Sequence, residues 1–411
     1  MPINGTRLND RIARLAGFGQ TPDGGVTRPT FTPAYLEAAK TVAAWMREAG
    51  LVVRRDAVGN LIARRERGAA GLPAVALGSH IDTVLGGGRY DGALGVLSAI
   101  EVAQALHEDG VSLRHPLEVI SFIEEEGTRW ATGMLGSRFM AGHVSEEFVR
   151  DRADRQGVTI AEALAGAGLD PSQFRHAART PDEFHAYVEL HIEQSTVLDS
   201  LGLPVGAVTG IAGPLFLALR LHGRADHAGA TPMHLRRDAL VAASRLVLAA
   251  QEAPAGASST AVATVGRLEV SPGAINVIPG EVFMTFDLRD IVEALRDRLE
   301  HDIRAKIARV AAEAGLTYDL QELTRHVPVL LPERMVGTVC RAIEATGLPV
   351  HRLPSGAGHD AQIMAEVTDT AMIFVRSREG VSHNPREYSS PEDIVAGAEV
   401  LYHTVVALDR S

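Results

Sequence analysis

Three short apolar stretches in the first half of this chain run straight into charged or imidazole side chains, and this pattern constrains the fold most. Val75–Gly78 leads into Ser79-His80-Ile81-Asp82, Leu117–Ile123 into Glu124-Glu125-Glu126, and Ala186–Leu190 into His191-Ile192-Glu193-Gln194. Such short runs suit strands buried on both faces. Helical patterns lie between them, at Pro33–Gly50 and at Ala93–His107. Strands alternating with helices imply an open α/β sheet, and such sheets bind ligands beyond the carboxyl ends of their strands.

The rhythm changes near Gly213. Strand Leu215–Leu221, helix Arg236–Gln251, strands Ala261–Val270 and Glu281–Leu288, helix Ile291–Ala314 and strand Leu316–Leu320 follow. That order is β-α-β-β-α-β, a ferredoxin-like pattern. The α/β texture then resumes with strand Ala371–Val375 and helix Pro391–Leu408. The expected architecture is an α/β domain with a mixed sheet flanked by helices, residues 1–211 and 328–411, interrupted by a smaller α+β domain at 212–327. A length of 411 residues accommodates this plan.

Composition narrows the functions available. With 46% hydrophobic and 22% charged residues the chain is ordinary globular material. A net charge of −11 disfavours nucleic acid or an anionic membrane as partner. Cys340 is the sole cysteine, which excludes an intrachain disulfide and a Cys-rich metal site. Neither a signal-peptide apolar run nor a membrane-length one is found, so a cytoplasmic protein is expected.

The polar residues at the strand ends suggest metal chemistry. His80 and Asp82, two apart in extended chain, point the same way, so Asp82 can accept the second ring N–H of a ligating His80; a hydrogen-bonded surface pair is the plainer alternative. Asp91 follows Gly86-Gly87-Gly88 and either bridges two cations or caps the next helix. Glu124, Glu125 and Glu126 are either a solvated charge run or acids held together by cations, one ligating and its neighbour free as a base. His191 and His383, past a strand and in a polar loop, complete an N/O-ligated two-metal set without sulfur.

The segments GSHIDTV, GGRYDGALG, EEEGTRW, HIEQ, HAGATPM, AINVIPG, FDLR, SGAGHDA and SHNPREYSS resemble, in order and spacing, the amidohydrolases that cleave N-carbamoyl-L-amino acids, β-ureido acids and allantoate. These belong to a superfamily of dinuclear metallopeptidases with the same interrupted-domain plan. The resemblance implies two divalent cations per subunit (zinc, manganese, cobalt or nickel). His80, Asp91 and His191 would hold one, and Asp91, Glu126 and His383 the other. It makes Glu125 the general base and leaves Glu124 structural. It assigns His227 to the oxyanion and to substrate binding, together with Asn276, Arg289, Gln194 and His359. It also implies a homodimer formed through the inserted domain, one substrate contact coming from the partner subunit. Trp130 stands where the family usually has Phe, and its bulkier ring is expected to narrow the pocket.

The implied function is hydrolysis of a small ureido acid, releasing ammonia and carbon dioxide. An aminoacylase or exopeptidase of the same superfamily is the nearest rival. A metal-free binding or scaffold protein is the rival from another class.

Overall fold

Strands fully buried on both faces make up the middle of the larger sheet. The computed structural model describes residues 2–65 and 71–411; Met1 and residues 66–70, inside the first expected domain segment, lie outside the described residues. The chain divides into two compact units, one of Met1–Thr209, Leu331–Leu353 and His359–Ser411, the other of Gly210–Leu330 and Pro354–Gly358.

The main strands of the larger, nine-stranded sheet are β1 (Val52–Arg55), β2 (Leu61–Arg65), β3 (Ala74–His80), β4 (Leu117–Phe122), β5 (Phe184–Ile192), β6 (Val205–Ile211) and β7 (Thr370–Val375). They lie in the order β1-β2-β4-β3-β5-β7-β6. β4, β3, β5 and β7 are parallel, while β1, β2 and β6 run antiparallel to their neighbours. The sheet is mixed, as expected. Helix Ala93–Glu108 packs on β3, β4 and β5 and against helices Gly5–Ala16 and Pro391–Leu408, burying Ala93–Leu106. After β3 the chain crosses to β4 on one side, whereas from β5 it goes on to β6 and later β7 on the other. The strand order therefore reverses between the parallel neighbours β3 and β5, where adjacent carboxyl ends open a crevice.

The second unit has the element order β-α-β-β-α-β. Its four-stranded sheet runs Thr317–Arg325, Leu215–His222, Glu281–Arg289, Val262–Ser271, every pair antiparallel. Period-two alternation sends Leu215, Leu217, Leu219 and Leu221, with Val282, Met284, Phe286 and Leu288, into one core. Helices Ala239–Ala257 and Glu293–Ala314 supply Leu246, Leu299, Ile303, Ile307 and Val310.

Several boundaries differ from expectation. The helix expected from Arg236 begins at Ala239, because the Asp238 carboxylate caps the N–H groups of Leu240 and Val241. It also continues through Pro254 to Ala257. The strand expected at Leu316–Leu320 spans Thr317–Arg325. Among the described residues, no helix is long and apolar enough to cross a membrane.

Candidate active site

His80 is the last residue of β3 and His191 lies at the end of β5, so these two parallel neighbours set the imidazoles side by side at their carboxyl ends. Each ring donates Nδ1–H to a main-chain carbonyl, His80 to Asp82 O and His191 to Ile192 O, both at 3.0 Å. Both Nε2 atoms therefore face inward, 3.8 Å and 3.1 Å from Asp91 Oδ1. Asp82 differs from expectation. Its carboxylate stands 3.7 Å from Nδ1 of His80, beyond hydrogen-bonding reach. Instead it accepts the N–H groups of Glu125 and Glu126, each at 3.2 Å. The turn after β3 brings the Asp82 carbonyl to the ring and leaves the side chain to hold the acidic loop.

Asp91 does not cap the helix after it. Gly92 occupies the cap position, with φ of 61° and no side-chain bond. A β-carbon there would collide with the His80 ring, so only glycine lets the loop pass. Asp91 is consequently free to face the histidines. His383 approaches from the far end of the chain, with Nε2 3.2 Å from Asp91 Oδ2 and 3.4 Å from Glu126 Oε2. Glu125 Oε2 lies 3.6 Å from His80 Nε2. Glu124 turns away and accepts the N–H groups of Arg129 and Trp130. Glu124, Gln194 and His383 all hold positive φ, at 52°, 58° and 54°, which costs non-glycine residues about 1–3 kcal/mol each.

One participant carried no local signal. Glu387 accepts the N–H groups of Tyr90 and Asp91 at 2.8 and 3.1 Å and the Ser382 hydroxyl at 3.0 Å. It thereby anchors the Asp91 loop. A β-carbon at Gly88 would overlap its carboxyl group, which explains that glycine.

The electrostatics fit divalent cations. Burial, reinforced by Glu126, pushes the Glu125 carboxyl well above its ordinary range; burial and the Asp91 charge do the same to Glu126. Burial draws His80 down to about 4. Burial also opposes charge on His191, but Asp91 outweighs it and lifts the imidazole to about 9. His191 and His383 in turn hold Asp91 well below the carboxylate range against its burial. Glu126 Oε1 is buried without a hydrogen-bond partner. Inward-facing Nε2 atoms, crowded acids and an orphaned carboxylate oxygen form a donor set that positive charge would satisfy. One ligand atom each from His80, Asp91 and His191 lie within 4.8 Å of one another, as do those of Asp91, Glu126 and His383.

Gln194 donates Nε2–H to Asp91 Oδ2 at 3.0 Å, and the buried His359 ring packs edge-on against His191 with centroids 4.5 Å apart. Trp130 is 1% exposed, donates Nε1–H to Val158 O, and lies beneath the Arg129 guanidinium; it lines a cavity with Glu126, Gly127 and Thr128.

The remaining predicted residues belong to the second unit. His227 Nδ1 accepts the N–H groups of Gly229 and Ala230 at 3.0 and 3.1 Å, which puts its proton on Nε2 as an outward donor. Asn276 is exposed in the turn before Val277, which pairs with His227. Arg289 ends its strand and is engaged by Asp287 and Gly356.

A model of peptidase family M20/M25/M40 matches residues 76–407. An N-carbamoyl-L-amino acid amidohydrolase of Geobacillus stearothermophilus is 47% identical over 403 residues, covering 98% of each chain. An allantoate amidohydrolase of Bacillus subtilis is 36% identical over 398 residues, 96% of this chain and 95% of that one. Among solved structures, a hydantoinase/carbamoylase-family amidase from Burkholderia multivorans superposes with a TM-score of 0.93 at 38% identity, over 100% of this chain and 98% of that one.

Proposed function

The chain belongs to peptidase family M20/M25/M40, and on that footing we propose that it is a metal-dependent amidohydrolase of small ureido acids. It cleaves the carbamoyl C–N bond of an N-carbamoyl-L-amino acid or allantoate. The observation that carries the reading is the meeting of three imidazole Nε2 atoms and two carboxylates, from five chain segments, around Asp91. The full-length similarity to carbamoyl-cleaving relatives points the same way.

In this reading His80, Asp91 and His191 hold one divalent cation and Asp91, Glu126 and His383 a second, with zinc, manganese, cobalt and nickel all suited to the donors. When bound, such a pair supplies Lewis acidity and lowers the pKa of water in the site. Glu125 accepts the proton of the water that attacks the carbamoyl carbon. It returns that proton to the nitrogen that leaves when the C–N bond breaks. The carbamate left behind decomposes to carbon dioxide and ammonia. His227 offers its Nε2–H to the oxyanion. Arg289 and Asn276 bind the distant carboxylate, while Gln194 and His359 line the carbamoyl end.

The inserted unit is read as a ferredoxin-like homodimerisation module of a cytoplasmic enzyme. Its edge strand Val262–Ser271 is exposed along most of its length and carries an unpaired side, which supports a role in pairing.

An ammonia-release assay on the metal-reconstituted protein tests the function. N-carbamoyl-L-amino acids, allantoate and β-ureidopropionate should include a substrate, and N-acyl amino acids and dipeptides should be poor. These last two liberate an amino acid and no ammonia, so they are followed by the free amino group formed; turnover confined to them would make the chain an aminoacylase or exopeptidase.

A further inference from the structure

Arg289 does not stand alone on its strand. Asp287 and Arg289 are two residues apart on the half-exposed face of Glu281–Arg289, the face turned away from the second unit's core. Asp287 takes one edge of the guanidinium with both oxygens, Nε donating to Oδ1 at 2.9 Å and Nη2 to Oδ2 at 2.8 Å. Nη1 donates to the Gly356 carbonyl at 2.6 Å. Phe216, the cross-strand neighbour of Asp287, places its ring 5.9 Å from the guanidinium carbon. A guanidinium carries five N–H bonds. Three are engaged here, leaving one hydrogen on Nη1 and one on Nη2, a pair that a single carboxylate can accept.

We propose that Asp287 is a positioning residue, locking the Arg289 guanidinium so that its two terminal nitrogens each present one donor to the substrate carboxylate. The inference rests on the ureido-acid reading given above. A free arginine samples many rotamers, and each binding event would have to freeze them. Here Asp287, the Gly356 carbonyl and the Phe216 ring hold the fork from three sides before substrate arrives. The lock acts on the carboxylate end alone, so its loss should appear as lost discrimination for the carboxylate rather than as a general loss of turnover.

The test compares kcat/KM for an N-carbamoyl-L-amino acid and for the matching carboxamide, in wild type, Asp287→Ala and Asp287→Asn. Asp287→Ala should cut the carboxylate-over-carboxamide ratio about tenfold, through KM, with kcat falling less than about threefold. Asp287→Asn keeps one acceptor and should recover part of that ratio. Damage to the fold lowers both substrates together and leaves the ratio unchanged; that result would overturn the inference, as would a lower KM in Asp287→Ala, which would make Asp287 a competitor of the substrate. Should Asp287→Ala fail to fold, Phe216→Leu provides the second variant, with a ratio reduced severalfold if the lock is real and unchanged if it is not. Wild-type protein that hydrolyses neither substrate would overturn the functional reading, and this inference with it. Full wild-type discrimination with an intact ratio in Asp287→Ala would overturn this inference alone.

Discussion

Glu125 is held at its backbone by Asp82 and lies with its side chain 3.6 Å from Nε2 of His80, among acids that push its proton affinity upward. Holding a cation and moving a proton are separable duties there. Glu125→Gln removes the proton acceptor and leaves His80, Asp91, Glu126, His191 and His383 in place. Metal analysis should find the wild-type cation content, while kcat falls by about 10²–10⁴-fold. Near-normal kcat at full cation content would end the assignment of Glu125 as base. His80, His191 and the run Glu124–Glu126 stood out in the sequence because polar groups at the ends of apolar strands have few structural reasons to be there, but only the family resemblance singled out Glu126 within that run. Asp91 was legible only as one of two options, since an acid before a helix also makes a good cap. Glu387 was not legible on local grounds, because its partner Tyr90 lies 297 positions away and only folding brings them together.

At the level of elements, the loop after β4 gathers Glu124, Glu125 and Glu126 in a buried position beside Asp82, and the loop after β7 adds Glu387. Burial, with Asp82 adding to it, lifts Glu124 from 4.5 to about 7, and burial with Asp91 does the same for Glu387. Between those values these two acids bind more protons in the folded, cation-free protein than in the unfolded chain, so together they lower its stability as pH rises and outweigh His80, whose lowered pKa acts the other way. Denaturant titration of the chelated protein should show unfolding free energy declining from about pH 4.5 to about pH 7. Divalent cations should restore more stability at the upper end of that window than at the lower. A flat profile in the chelated protein would contradict the buried, uncompensated acids described here. The elements missed in the sequence share a weak pattern. β1 is short and mostly exposed, with two arginines in four residues, and β6 includes Gly206 and Gly210, which lower strand propensity. Helix Glu333–Ala345 has a clear apolar face but no capping side chain to mark its start.

For the whole molecule, the order of elements rather than composition carried the architecture: buried parallel strands with helices between them, then a β-α-β-β-α-β run, then the return of the first texture. The mixed sheet flanked by helices follows from that rhythm. The passage of Pro354–Gly358 into the second unit does not, because five residues, the first two ending the short strand Arg352–Ser355, are too few to show periodicity. Only long-range topology explains why His80, Asp91, Glu126, His191 and His383 meet, since the reversal of strand order between β3 and β5 opens the crevice they line. Everything proposed about activity depends on that cage holding two cations. The most direct measurement is an anomalous-difference map from crystals grown with zinc or manganese. It should show two peaks about 3.5–4 Å apart, one on each side of the Asp91 carboxylate. A single peak, or peaks only at surface histidines, would contradict it.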